Sequence, residues 1–276
     1  MEIGSTIQPR YRNPRKPALQ HFYPEARFGG FTDIDGTLTF YLRVNAMIKP
    51  TDVVIDFGCG QGTYVNDPVP IRCHLRTLRN KVGRVIGIDV DAHAAQNPFL
   101  DEFRQLRPGT GWPIDTRSTD LVLCDNVIEH LPNPELFFSE AARVLRPGGH
   151  VCIRTPNVMS YFGIASKLVP NKHHAAVLRV AQQDRDECFP TVYRANTIRA
   201  LRRMMGRHGF EHAVYGYEAE PAYLSFSHFA YALGVLHQRL APSRLRVTIF
   251  AFGRLAQETL DQPTLAQWST PTNYPD

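Results

Sequence analysis

Cysteine is scarce in this chain and carries no pattern. Its 276 residues hold five, Cys59, Cys73, Cys124, Cys152 and Cys188, with no CxxC pair and an odd total. That argues against a disulfide framework or a cysteine-rich zinc site, and it fits a reducing, cytoplasmic setting. Long apolar runs are also missing. No stretch approaches the roughly 20 uncharged residues that cross a bilayer, and the first residues lack the apolar segment of a secretory signal. Neither an internal repeat nor a low-complexity tract is present. Charge of one sign is only mildly in excess: the formal balance is +5 and the pI about 9.0. Much of that surplus lies in Arg10–Lys16 and Arg199–Arg207. A diffuse excess of this kind is solvated surface, so nucleic acid is not an expected partner.

What is there suits a large packed domain: 43% of residues are hydrophobic and 21% charged. Residues 1–32 are expected to form an N-terminal arm, residues 33–256 a single domain with inserts near 157–195 and 221–240, and residues 257–276 a tail. The domain opens with a helix over Leu38–Ile48, ended by Pro50. Strands are expected over Asp52–Phe57 and Arg84–Asp89, within Arg104–Pro113, and over Asp120–Asp125 and His150–Arg154. Between the last two, Pro134 starts a helix with Leu136, Phe137, Ala141, Val144 and Leu145 at helical spacing, stopped by Pro147-Gly148-Gly149. Downstream come a basic helix over Asn196–His208, a strand over Phe210–Tyr217, an aromatic-rich helical stretch over Pro221–Leu240 and a last strand over Arg246–Phe252. The stripe Tyr223, Phe226, Phe229, Tyr231 and Leu236 reads as a lid or core helix. Strands alternating with helices make this an α/β fold, with a parallel sheet covered on both faces and a hairpin-like final pair. Ligands of such sheets bind beyond the carboxyl ends of the strands, where Asp56, Asp89 and Asp125 all fall.

One stretch invites a different chemistry. Asp33-Ile34-Asp35-Gly36-Thr37 resembles the nucleophile loop of haloacid-dehalogenase phosphatases. That loop follows a buried strand, whereas Arg27-Phe28-Gly29-Gly30 stands here. It therefore reads as a capped turn into the first helix.

The organising stretch is Val53-Val54-Ile55-Asp56-Phe57-Gly58-Cys59-Gly60-Gln61-Gly62, a buried strand running into a glycine turn. A dinucleotide fingerprint, GxGxxG counted from Gly58, needs glycine at 63, where Thr63 stands. Asp56 points an anion into the turn where pyrophosphate would lie. A carboxylate there suits a ligand with an ammonium and a sulfonium group and no phosphate, as in S-adenosylmethionine.

Four ordered motifs carry a family resemblance: Asp56-x-Gly58-x-Gly60-x-Gly62, Gly87-Ile88-Asp89, Ile128-Glu129-His130-Leu131-Pro132, and Leu145-Arg146-Pro147-Gly148-Gly149. Together, over about residues 38–160, they resemble class I S-adenosylmethionine-dependent methyltransferases. The resemblance implies a Rossmann-like, doubly wound, seven-stranded and mostly parallel sheet whose last strand is antiparallel. It also implies S-adenosyl-L-methionine as cofactor, with Gly58, Cys59, Gly60 and Gly62 beside it, Asp56 near its amino group, and Asp89 with Val90 at its ribose. Asp125 and Asn126 would border the same pocket. Many relatives carry an acid near the third strand for the adenine amino group. None stands in Arg107–Trp112, so Trp112 is either a stacking surface or core filler.

Methyl transfer from a sulfonium needs alignment, and a hydroxyl acceptor gains from a base. His130 is the first candidate, with Glu129 and Asp125 beside it; the Glu129-His130 pair could equally orient its turn. Some relatives hold a divalent metal with an ExxEH version of this turn. Asn126 replaces the first acid, and no metal is expected. Tyr193, Arg194 and His173 are candidate acceptor contacts, with Asn196 or Thr197 as the cap of the helix that follows. The expected activity is O-methylation of a small-molecule or glycan acceptor. The alternative is a chain that keeps the fold as a binding or regulatory subunit without turnover.

Overall fold

The protein is described here from a computed structural model, over residues 16–107, 109–161, 163–164 and 191–257. Its centre is a seven-stranded sheet in the order β3-β2-β1-β4-β5-β7-β6. The strands are β1 (Val53–Phe57), β2 (Arg84–Asp89), β3 (Glu102–Gln105), β4 (Thr119–Asp125), β5 (Leu145–Pro156), β6 (Phe210–Tyr217) and β7 (Thr248–Leu255). The first five run parallel, and β7 pairs antiparallel with both β5 and β6. The sheet order reverses between β1 and β4, so β2 and β4 flank β1 and leave a cleft at their carboxyl ends.

Period-two alternation divides the core in two. Ile55, Phe57, Ile86, Ile88, Val122 and Cys124 face one side, packed against α4 (Pro134–Val144) and α5 (Ile198–Arg207). Val54, Val85, Leu121, Leu123 and Cys152 face the other, where α2 (Gly36–Met47) brings Phe40, Tyr41 and Val44. Every second residue shares a face, so Asp56, Asp89, Asp125 and Arg154 continue this second row past the apolar core.

Several boundaries differ from expectation. The third strand lies earlier, at Glu102–Gln105, paired to β2 through Ile86–Asp89. Pro147-Gly148-Gly149 does not separate helix from strand: β5 already pairs at Leu145 with Thr119, and the register then shifts. After the glycine turn come a 3-10 turn at Thr63–Asn66 and a short α3 (Pro70–Arg76), with Pro70 in its first turn. The 221–240 stretch is a 3-10 turn at Ala222–Leu224 followed by α6 (His228–Leu240). Tyr231 is buried against α1 (Lys16–Phe22), stacking on Phe22 at 5.5 Å, while Tyr223, Phe226, Phe229 and Leu236 are exposed. The stripe thus faces two ways. Residues 1–15, 165–190 and 258–276, including His173 and Cys188, lie outside the described residues. Among the described residues no helix is long and apolar enough to cross a membrane.

Asp35 is a helix cap. Its Oδ1 accepts from Thr37 N and Leu38 N, both at 2.9 Å, at the start of α2. Its Oδ2 accepts from Arg72 Nε at 2.7 Å and forms an ion pair with the same guanidinium, so one buried carboxylate fastens α2 to α3. Asp35→Ala removes the cap and leaves Arg72 without this buried partner. Denaturant unfolding is expected to show a loss of about 2–4 kcal/mol; a loss below about 0.5 kcal/mol contradicts the fastening role.

Candidate active site

The glycine turn is bent by backbone geometry and held from outside. Gly58, Gly60 and Gly62 have φ of 69°, 51° and 71°, the left-handed region that favours glycine. A Cβ on Gly58 would stand 2.5 Å from Val127, whereas one on Gly60 would meet nothing within 4 Å. The turn is therefore pressed against β4 at Gly58 and open at Gly60. Asn97, almost fully buried, donates through Nδ2 to Cys59 O and Gly60 O at 3.0 Å each. The carboxylate of Asp89 accepts from Gly60 N at 2.9 Å and from Asp91 N at 3.0 Å. Asp89 is thus part of the turn's support, and its remaining lone pairs are left for a ligand. Val90, next to it, is exposed.

The three strand-end carboxylates have different surroundings. Asp125 is gripped by Arg154, its register partner on β5, with Nε to Oδ1 at 2.6 Å and Nη2 to Oδ2 at 2.7 Å. Tyr41 OH donates to Oδ2 at 2.8 Å, and Asn126 Nδ2 donates to Oδ1 at 2.9 Å. Arg154 also donates to Thr37 Oγ1 at 2.8 Å. Burial opposes ionisation of Asp125, yet Arg154 and then Arg76 outweigh it and hold the carboxyl below its usual range. So ionised and saturated, Asp125 is a poor base, which corrects its place among the catalytic candidates. It is a fixed anion that orders the end of β4. Asp56, by contrast, forms no hydrogen bond with the described residues, and burial followed by repulsion from Asp125 pushes its carboxyl up to about 7.

Two expected contacts turn inward. Trp112 is buried, stacked on Phe57 at 4.8 Å and packed against Phe137 at 5.5 Å. It is core filler, because the chain before β4 folds it under α4, and Trp112 N bonds Glu140 Oε2 at 2.6 Å. The Cys59 side chain lies over Gly87, with Sγ 2.7 Å from where a Cβ would be, so only its backbone faces the cleft. Burial raises its thiol far above the ordinary value.

At the end of β4 the chain turns through Asn126, at φ 56°, into a 3-10 turn over Ile128–His130. Glu129 and His130 separate there. Glu129 is buried, and its Oε2 accepts from Thr155 Oγ1 at 2.9 Å, while His130 is only half-buried. Burial pushes the Glu129 carboxyl up to about 7. Asn196 does not cap α5; Thr197 does, accepting from Ala200 N at 3.1 Å. Asn196 is buried instead, donating to Thr155 Oγ1 at 2.6 Å. The backbone nitrogens of Val192 and Tyr193 donate to Glu129 O at 2.8 and 3.0 Å, so Tyr193 is brought to this turn while Arg194 stays exposed. Arg154, Tyr41, Asn97 and Arg76 were not anticipated. An arginine ending the apolar run Val151–Ile153, two strands along from Asp56, was the one available signal.

These features define a class: an α/β sheet of this order with a bare glycine turn, an unpartnered carboxylate and a second acid at the next strand end. A family model described as a methyltransferase domain matches residues 32–213. The chain belongs to the class I S-adenosylmethionine-dependent methyltransferases. It is 29% identical over 106 residues to a ubiquinone biosynthesis O-methyltransferase of Cupriavidus pinatubonensis, covering 38% of this chain and 41% of that one. It is 36% identical over 115 residues to a probable S-adenosylmethionine-dependent methyltransferase of Mycolicibacterium smegmatis, covering 39% of each. These matches span about two fifths of the relatives' lengths. The fold is similar to that of Haemonchus contortus phosphoethanolamine N-methyltransferase 2 solved with S-adenosyl-L-methionine, with a TM-score of 0.51, 16% identity, and coverage of 80% of this chain and 52% of that one. The residues fit the cofactor of the class: open space beside Gly60, a carboxyl at Asp56 with no hydrogen bond to the described residues, and free acceptor capacity at Asp89.

Asp56 carries a prediction about stability. Its folded pKa of about 7 lies above the ordinary 3.8, so the folded protein keeps a proton that the unfolded chain has lost. Stability from this group therefore falls as pH rises from about 4 to 7 and stays low above that. Asp56→Asn is expected to stabilise the ligand-free protein by about 1–3 kcal/mol at pH 8 and by less at pH 5. Denaturant melts at both pH values check it, and an equal effect at the two contradicts the raised ionisation.

Proposed function

We propose that the chain transfers a methyl group from S-adenosylmethionine to an oxygen of a small-molecule or saccharide acceptor. Bound in the cleft, the cofactor supplies an electrophilic methyl on a good leaving group, and the protein's part is alignment and proton removal. Asp56 offers the anion for the ammonium end, Asp89 and Val90 border the ribose, and Gly58–Gly62 give backbone contact. Asp125, neutralised by Arg154, fixes the floor beside Asn126.

The acceptor side is read at the Ile128–His130 turn, where the carbonyl of Glu129 accepts from the backbone nitrogens of Val192 and Tyr193 and so tethers the Val192-Tyr193 segment. That tether carries the reading, because it brings an acceptor-contact candidate to the end of β4. His130, the more exposed of the pair, is the proton acceptor for the hydroxyl. Glu129 positions the turn through Thr155 and Tyr193. Arg194 is free to meet an acceptor hydroxyl or anion. Oxygen as the methylated atom is supported by the ubiquinone biosynthesis O-methyltransferase among the relatives.

Calorimetry with S-adenosylmethionine is expected to give saturable one-site binding; no detectable heat or competition by S-adenosylhomocysteine overturns the reading. With an acceptor in hand, His130→Ala is expected to lower kcat by roughly 10²–10⁴-fold and to leave cofactor Kd within about threefold. Equal losses in both make His130 part of the scaffold.

A further inference from the structure

The cleft holds a carboxyl and a guanidinium whose hydrogen-bonding capacity the described residues leave unfilled. One is the Asp56 carboxylate, with no hydrogen bond to the described residues. The other is Arg76, the last residue of α3. Its guanidinium carbon lies 4.3 Å from the centre of the Tyr64 ring and 5.8 Å from that of Tyr41. Tyr64 is itself stacked on Phe99 at 4.4 Å, so the arginine rests on an aromatic shelf. Its only ion pair among the described residues is a loose one, Nη2 to Asp125 Oδ2 at 3.8 Å, and Asp125 is already gripped by Arg154. Nε of Arg76 is buried and has no hydrogen-bond partner among the described residues. Arg76 is also close enough to Asp56 to favour its charged form.

A buried guanidinium N–H without an acceptor is costly unless something fills it. Asp125 cannot do so without leaving Arg154. Asp56 forms no hydrogen bond to it. The missing partner is an anion that arrives with a cation for Asp56, and a free α-amino acid terminus carries both on one carbon. We propose that Arg76 binds the α-carboxylate of the S-adenosylmethionine methionyl group, so that Arg76 and Asp56 together read it as a zwitterion. This rests on the cofactor reading above and adds a specificity: ligands with the adenosyl and amine parts but no carboxylate are discriminated against. The planar fork suits a carboxylate better than a lysine would.

Calorimetry separates the possibilities with two probes, S-adenosylmethionine and its decarboxylated form, which keeps the sulfonium and the amine. Wild type is expected to bind the first about 10–100-fold more tightly, the range of a charge-assisted hydrogen bond. In Arg76→Gln that preference is expected to shrink to about threefold or less, with decarboxylated ligand bound nearly as by wild type. Arg76→Lys is expected to recover part of the preference. Equal weakening of both probes in Arg76→Gln makes Arg76 a packing residue and overturns the proposal, as does an unchanged preference. Wild type binding neither probe overturns the cofactor reading itself, an outcome distinct from wild type binding both with equal affinity, which overturns the role of Arg76 alone.

Discussion

Three carboxylates at the ends of three neighbouring strands set the terms for this molecule. Alternation puts Asp56, Asp89 and Asp125 on the same face of β1, β2 and β4, at the margin of an apolar core where like charges repel strongly. The fold handles each differently. Asp89 is absorbed by backbone N–H groups of Gly60 and Asp91. Asp125 is neutralised by Arg154, which the β4–β5 register sets beside it. Asp56 is opposite Gly87 on β2 and Leu123 on β4, and neither register neighbour carries a charge or a donor in its side chain. Burial, and after it repulsion from Asp125, therefore bears on Asp56 unrelieved, and its carboxyl rises to about 7. A site that withholds a partner from one acid while satisfying the others is selective for a cation at that point.

The same acids connect the cleft to the sheet. The glycine turn follows β1, yet its supports come from the far side of β2: Asp89 at the strand end and Asn97 beyond it. Its conformation is thus a property of the β1–β2 pair. Gly87 contributes by having no side chain, which leaves room for Cys59 to fold inward and turn the backbone of the loop outward. On the other flank, Val127 closes against Gly58 as the chain leaves β4. The turn is gripped at three places and leaves open space where a side chain on Gly60 would stand.

Much of this was legible in the sequence, for a local reason. Apolar strands ending in acids, a glycine register that fits no dinucleotide and four motifs in order depend on residues near one another in the chain. The reading of the Asp33–Thr37 stretch as a capped turn into the first helix was local too, and there Asp35 Oδ1 accepts from Thr37 N and Leu38 N. What escaped were partners fixed by sheet register or by a fold-back. Arg154 meets Asp125 only because β5 lies beside β4 in this register. Tyr41 reaches the same carboxylate from a helix 84 positions away. Sequence position left Trp112 open between cleft and core and set Cys59 beside the cleft, and both side chains face the core because of what packs over them. The start of β5 misled in the opposite direction. Pro147-Gly148-Gly149 reads as a break, but β-pairing at Leu145 carries through it with a shift in register.

The division between the two halves of the cleft follows from where charge has been cancelled. Around the glycine turn the described residues leave the Asp56 carboxyl and Arg76 Nε without hydrogen-bond partners, a polarised pocket suited to a small ligand with separated charges. Beyond Asn126 the surroundings change: Glu129 is buried against a hydroxyl, its backbone carbonyl ties down Val192 and Tyr193, and Asn196 closes behind Thr155. Polar groups there bond mainly to one another, which makes rigidity rather than charge the property of that end. A displacement reaction needs both. It needs a field that holds the charged donor in one orientation and a stiff, less polar wall against which the acceptor is brought into line. Asp125 stands at the boundary, its position fixed by Arg154, and its charge raises the Asp56 carboxyl on one side and the Glu129 carboxyl on the other.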